Sequence, residues 1–445
     1  MVFRRFLLII FLCILSLQTV CAEKIKVWHG FGGELGAHFQ TIVDAFNKSL
    51  KEKGLSFEIE AEFKGSYDDV VKSYLSAPVE GRPDIVQAYE MATRLMLGTK
   101  GPDGHVVYIP IQQVMTHLGS KLDEDNFLPQ ILLFYRAGGM QLASIPFNAS
   151  TVVLYYNKTA LNNAKLTPMA TFEQFTEQME RLKEAGEPVG IGAGWLSGHH
   201  IDQVGGRHNK QIATHGNGVD HPDARLSFDR FFTFHLKALQ VWYKKGWFSL
   251  DQGPKAEQAF ADGKIVYLSN GGNRHSDITK AVGGKFEIGV TTFPYWKTAG
   301  MPFNTIAFNT IAGGGSFWVA NKDQSCERMR IIAQFLSYLV TPEVQALWQR
   351  LSGYVPVVKN AYDLNVKQGF FNSTDLGVQA AKTAYESFSN NHPGEFSRGI
   401  LLKNFPDIRK IEIEQMEKAI KGEIEEEEAI STIQTEGNKL LDSAE

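Results

Sequence analysis

Apolar residues recur along this chain with two periods, and the alternation between them outlines the fold. Lys24 to Val27 reads as a first strand, followed by a glycine-rich turn from Trp28 to Gly36. Phe39, Ile42, Val43, Phe46 and Leu50 then fall on one face at helical spacing. Phe57 to Phe63 alternates acidic and apolar residues, as a half-buried strand does. Lys64 to Asp69 forms a loop into another helix, and Pro83 to Glu90 forms a strand ending in the pair Tyr89-Glu90. Strand, helix, strand in this order predicts an α/β lobe with a mostly parallel sheet.

The most informative stretch lies further on. Ile145 to Thr151 is extended chain with a proline and small polar residues, and it runs into the compact apolar strand Val152 to Lys158. Such a stretch can carry the chain from one lobe to another, with Ser150 at the crossing able to face a ligand. Downstream, Thr171 is expected to cap a helix, with Gln174 completing a capping box. Phe172, Phe175, Met179 and Leu182 form its buried face, and Gly186 ends it. Trp195 stands among glycines in Gly190 to Gly198, where it could offer a flat apolar wall. The segment after it, with His199, His200, His208, His215 and His221, reads as a long loop.

Phe232 to Phe248 and Ala256 to Asp262 read as helices, and Lys264 to Leu268 as a strand followed by a loop from Ser269 to Arg274. Gly313-Gly314-Gly315-Ser316 precedes the strand Phe317 to Val319, where glycines let backbone N–H groups approach a ligand. Helices are expected over Met329–Leu339 and Pro342–Leu351, then an exposed tyrosine turn at Ser352 to Pro356. Lys403 to Arg409 leads into the terminal helices, whose acidic run Glu425 to Glu428 reads as a solvated face.

Composition narrows the class. At 445 residues the chain is too long for one simple core and predicts two lobes. Its 43% hydrophobic and 21% charged residues are those of an ordinary globular protein, and a net charge of −4 gives no reason to expect nucleic acid. Residues 1–22 carry the pattern of a secretory signal peptide: Arg4-Arg5, the apolar run Phe6 to Leu17, and Val20-Cys21-Ala22 before the cleavage point. Cleavage there leaves Cys326 as the sole cysteine and lowers the charge to −6, because 43 of 45 basic residues and all 49 acidic ones remain.

Local signatures of catalysis are missing. There is no G-x-S-x-G elbow, no P-loop and no H-E-x-x-H pattern, and the register of G-x-G-x-x-G fails at Leu35. No metal and no cofactor is expected. Tyr67 and Glu90 lie at carboxyl ends of strands, where open α/β sheets bind ligands.

Taken in order, Trp28-His29 with Gly33-Glu34-Leu35-Gly36, Lys64-Gly65-Ser66-Tyr67, Gln87-Ala88-Tyr89-Glu90 and Pro146 to Thr151 with Leu154 to Lys158 resemble the extracytoplasmic solute-binding proteins of ABC importers. Gly194-Trp195, Gly313 to Val319, Gly353-Tyr354-Val355-Pro356 and Asn404 to Arg409 extend the match over nearly the whole mature chain, towards the branch that binds glycerol phosphates.

The resemblance implies an α/β fold with two lobes of the type II periplasmic-binding kind, each a mixed sheet flanked by helices, and a ligand in the cleft. Residues 23–140 would form lobe 1, with a returning segment near 313–360. Residues 141–312 would form lobe 2, completed by 361–445. It also implies a non-enzymatic, monomeric periplasmic protein that captures sn-glycerol-3-phosphate or a glycerophosphodiester and delivers it to a membrane permease with ATPase subunits. The alternatives are a neutral oligosaccharide as ligand or, less expected, a secreted hydrolase.

Carried over by position, the ligand residues are Tyr67, Glu90, Ser150, Trp195, Gly271, Gly314, Tyr354 and Arg409. Arg409 would hold the phosphate with its planar donors. Ser150, Tyr354 and the Gly314 N–H would add donors, Glu90 would accept from ligand hydroxyls, and Trp195 would cover the carbon backbone. Two positions depart from the family pattern: Gly271 stands where it has a serine, and Gly198 where it has a second tryptophan. Arg274 is a candidate replacement donor, and the lost bulk would favour a larger diester.

Overall fold

A computed structural model describes residues 22–442 except 103, 120–121, 137–141, 298–305 and 390. The signal-peptide expectation therefore lies outside the described residues, apart from Ala22. Among the described residues, ten strands fall into two sheets. The first contains β1 (Glu23–His29), β2 (Phe57–Phe63), β3 (Ile85–Tyr89), β4 (Tyr108–Ile109), β5 (Ile145–Ser150) and β10 (Gly313–Ala320). The second contains β6 (Val152–Asn157), β7 (Ile191–Ala193), β8 (Tyr267–Gly271) and β9 (Ile288–Thr292), in the order β7-β8-β6-β9. In the first sheet β1 pairs in parallel with β2 and β3, while β10 runs antiparallel to β3, β4 and β5. In the second, β6 is antiparallel to β8 and β9.

The helix after β1 spans Gly33–Glu52 and buries the apolar stripe read from the sequence, with Phe39, Ile42, Val43 and Leu50 at most 1% exposed. Burying each such side chain stabilises by about 1.5–3 kcal/mol. This stripe meets an aromatic cluster in which Phe147 of β5 packs against Phe31, Phe39, Phe317 and Trp348, with ring centroids 4.9–6.1 Å apart. Phe147 explains why residues 145–150 do not merely lead out of the lobe. They form a strand hydrogen-bonded to β10, so this segment belongs to the first sheet.

Thr151 is the one residue between β5 and β6, and it joins the two sheets. Its hydroxyl donates to the Ile311 carbonyl at 2.9 Å, just before the chain returns into β10. Gln203 brackets the same residue, donating to the Ile311 carbonyl and accepting from its N–H, both at 2.9 Å. The outgoing and returning strands are thus tied together where they cross.

Several local expectations change. Thr171 does not cap its helix: Phe172 occupies the N-cap of Glu173–Glu184 and makes no side-chain cap bond. Gln174 still reaches back, accepting from the N–H groups of Ala170 and Thr171. The buried face of Phe172, Phe175, Met179 and Leu182 is as the periodicity required. The histidine-rich segment is not a loop. It folds into a π-helical turn, Gly198–Gln203, running into the helix Val204–His208, with all eleven residues buried.

Glycines 313–315 lie inside β10, and residues 269–271 inside β8. The tyrosine turn after Ser352 is not exposed. Gly353, at φ 72°, ends the helix Pro342–Ser352, and the ring of Tyr354 stacks on Trp348 at 6.0 Å, leaving the residue 6% exposed. Within the acidic run, Glu426 is buried at the start of the final helix, Glu426–Asp442. Cys326 is free and exposed.

Candidate functional site

Between the sheets lies a cavity of about 230 Å³. The ends of β3, β5 and β8 and the start of β10 contribute Glu90, Ser150, Gly271 and Gly313. The π-helical turn and its approach contribute Trp195, Gly198, His199 and Asp202. The helix Phe405–Lys421 contributes Phe405 and Arg409. Glu90, Ser150, Trp195, Gly271 and Arg409, singled out from the sequence, therefore meet on one wall system.

The other three are placed differently. Tyr67 and Tyr354 face each other, hydroxyl to hydroxyl at 3.5 Å, and Asn148 Nδ2 donates to the Tyr67 hydroxyl at 3.3 Å. Neither ring is among the cavity's lining residues, although both hydroxyls lie within the field of Glu90. Burial raises the pKa of both phenols, so they stay neutral donors. The Gly314 N–H donates to Glu90 Oε2 at 2.8 Å, so it positions the carboxylate. Gly314 has φ 132°, and a Cβ there would strike the Asn148 carbonyl, so only glycine lets β10 pass this close to β5.

Charge in the cavity is internally matched. Burial raises the Glu90 pKa, opposed by the Gly314 N–H and by Arg409. Arg409 is fully buried; Nη1 donates to Glu412 Oε2 at 2.9 Å and Nη2 pairs with Asp202. Its guanidinium carbon lies 4.2 Å from the Phe405 ring centroid and 4.7 Å from that of Trp195. Such contacts hold the planar cation in one orientation.

Arg274, expected to replace a lost donor, lines the cavity but is held by Glu257 at 2.9 and 3.0 Å and by Asp277 at 2.7 Å. The absent bulk at Gly198 leaves no void either. Trp195 lies directly over this glycine, and a Cβ built there falls into the indole ring. At Gly271 a Cβ would meet the Asn273 side chain at 2.6 Å, a flexible group able to move.

Sequence reasoning missed His199, Asp202 and Gln203. Read as a loop, they offered no reason to point inward; a π-helical turn, a form common at functional sites, brings them to the cavity. His199 Nδ1 hydrogen-bonds Ser269 Oγ at 2.9 Å, and burial lowers the imidazole pKa to about 3, so it is neutral. Among the described residues, the only clustered carboxylate group of metal-binding proximity is Glu425-Glu426-Glu427, away from this cavity.

Two sheets tied at a double crossing, with a polar and aromatic cavity between them, define a two-lobed solute-binding protein. The chain belongs to the bacterial extracellular solute-binding protein family, whose model matches residues 41–372. It is similar to the sn-glycerol-3-phosphate-binding periplasmic protein UgpB of Yersinia enterocolitica, at 30% identity over 96% of this chain and 94% of that protein. The corresponding Escherichia coli K12 protein is 31% identical over 94% of this chain and 92% of that protein. The fold is shared with the cyclic α-maltosyl-1,6-maltose binding protein of Arthrobacter globiformis, at TM-score 0.73 and 18% identity, covering 95% of this chain and all of that one. It is also shared with UgpB of Mycobacterium tuberculosis in complex with glycerophosphocholine, at TM-score 0.71 and 16% identity, covering 95% and 99%.

Proposed function

We propose that this protein captures a glycerol phosphate ester, sn-glycerol-3-phosphate or a glycerophosphodiester, between its lobes and delivers it to a membrane permease. The observation that carries this reading is Arg409, a guanidinium on the cavity wall, clamped between Trp195 and Phe405 and facing a site that also holds Ser150 and Glu90. Relatives at 30% identity named for sn-glycerol-3-phosphate binding support it. In this reading Arg409 and Ser150 take the phosphate, Glu90 accepts from glycerol hydroxyls, and Trp195 covers the carbon chain. Tyr67 and Tyr354 complete the donor set when the lobes close about Thr151. Lobe 1 would comprise residues 23–150 with β10 and the segment to about 360. Lobe 2 would comprise 152–312 with the remainder. The protein acts as an exported, monomeric, non-catalytic carrier in the periplasm.

A neutral oligosaccharide is the second reading, and the pairing of Arg409 with two carboxylates favours it. Calorimetric titration with glycerol-3-phosphate, glycerophosphocholine and maltose separates the two. Binding of either phosphate ester, lost in Arg409→Ala and weakened in Glu90→Ala, is the expected result. Binding of maltose alone refutes the phosphate reading, and hydrolysis of the diester during incubation refutes the non-catalytic one.

A further inference from the structure

The cation on which the phosphate reading rests is already engaged. Its two carboxylate partners occupy different places. Glu412 sits one turn along the same helix, is fully buried and does not line the cavity. Asp202 lines the cavity from the π-helical turn, with its side chain 9% exposed. Its second oxygen, Oδ1, is buried with no hydrogen-bond partner among the described residues, and so is Arg409 Nε. The residue that lines the cavity beside the arginine is thus itself a carboxylate, and the pair keeps one buried donor and one buried acceptor unmatched.

The charged lining residues balance, Glu90 and Asp202 against Arg409 and Arg274, and both cations are also paired behind the wall with Glu412, Glu257 and Asp277, so no net positive charge faces the ligand. His199 does not redress this, because burial keeps its imidazole neutral.

We propose that Asp202 is a specificity-determining residue: by sharing Arg409 with the ligand, it selects singly charged phosphodiesters over doubly charged phosphomonoesters. This rests on the phosphate-ester reading above. A phosphate placed against Arg409 lies within a few ångströms of Asp202, and like charges at that range and partial burial repel strongly enough to change binding by about tenfold to several hundredfold per added unit of charge. A diester carries one such charge and a monoester at neutral pH about two. The ionised Asp202 carboxylate has no proton to donate, so it offers nothing to a second phosphate charge. Glu412 cannot play this part, since it has no face on the cavity.

The test is titration of the full mature chain with sn-glycerol-3-phosphate and with its methyl phosphodiester, which differ by one unit of phosphate charge and a single methyl group. The wild type is expected to bind the diester at least about tenfold more tightly, and Asp202→Asn to shift the affinity ratio towards the monoester by at least about tenfold. A wild-type preference for the monoester overturns the proposal. So does an unchanged ratio in the variant, including equal weakening of both ligands, which would mean that Asp202 only holds Arg409 in place. The wild-type ratio needs no variant, so the proposal remains open to refutation even if Asp202→Asn does not fold. Failure of the wild type to bind either ester refutes the phosphate reading itself and is distinguishable from both.

Discussion

Acidification is expected to destabilise the ligand-free protein well above the pH at which carboxylates usually titrate. His29, His199, His200 and His208 are at most 6% exposed, and burial lowers their pKa values to about 4, 3, 3 and 4. His235, accepting from the Trp296 indole N–H at 3.0 Å and set against His200 Nδ1 at 3.1 Å, is displaced in the same direction. The unfolded chain takes up these protons near pH 6.5, whereas the folded one resists them to about pH 4. Stability is therefore fully present above the unfolded pKa and falls as pH drops through this window.

Each proton so excluded contributes a slope of about 1.4 kcal/mol per pH unit, so the four valued histidines give between 5 and 6 kcal/mol per unit, approximately. Glu90 and Glu412 act oppositely, because burial raises their pKa and the folded state accepts their protons first. Even if both did so completely, four protons less two would leave a net slope of about 2.7 kcal/mol per pH unit. Between pH 6.5 and pH 5 this slope removes about 4 kcal/mol, a substantial part of a domain stability of about 5–15 kcal/mol. Urea unfolding followed by circular dichroism at half-unit steps from pH 7 to pH 5 measures the slope. A flat or rising stability between pH 6 and pH 5 would show that the histidines are solvated in the folded protein and that the reasoning is wrong.

Other perturbations test the frame around the cavity. Asp84, 1% exposed, receives Arg328 Nε at 3.0 Å, Lys322 Nζ at 3.0 Å and the Lys26 N–H at 2.7 Å; Asp84→Ala should lower stability by about 3–5 kcal/mol in urea titration, because it strands the cations. Phe147→Ala removes the centre of the aromatic cluster and should cost about 3–5 kcal/mol by the same measurement, while a loss under 1 kcal/mol would mean the site is not packed as described. Gly314→Ala should weaken ligand affinity as well as lower stability by about 1–3 kcal/mol, since it strains β10 and displaces Glu90; calorimetry showing wild-type affinity would separate Glu90 from binding.

What the chain spells out locally, the structure keeps. The stripe from Phe39 to Leu50, the alternation of Phe57 to Phe63 and the face from Phe172 to Leu182 depend on neighbours one or two turns away, so their periods survive any tertiary setting. The site was legible only in part. Glu90, Ser150, Trp195 and Arg409 carried chemical types and motif positions that marked them, and the cavity collects them. Asp202 and His199 carried no such mark, because their inward direction comes from a π-helical turn that Gly198 permits under the indole of Trp195.

By itself, the sequence determined the α/β character, two lobes' worth of core, the helical and extended runs and the presence of an arginine suited to a phosphate. Tertiary structure alone decided which charges that arginine meets. Asp202 and Arg409 are 207 residues apart and become partners because the π-helical turn and the helix Phe405–Lys421 converge on the cavity. It also decided that Tyr354 is buried on Trp348, that Gly314 gives its N–H to Glu90, and that residues 145–150 join the first sheet. The physical reason is common to all of these. Backbone preference and hydrophobic period act over a few residues, whereas desolvation, ion pairing and strand partnership depend on groups brought together only when the chain has closed on itself.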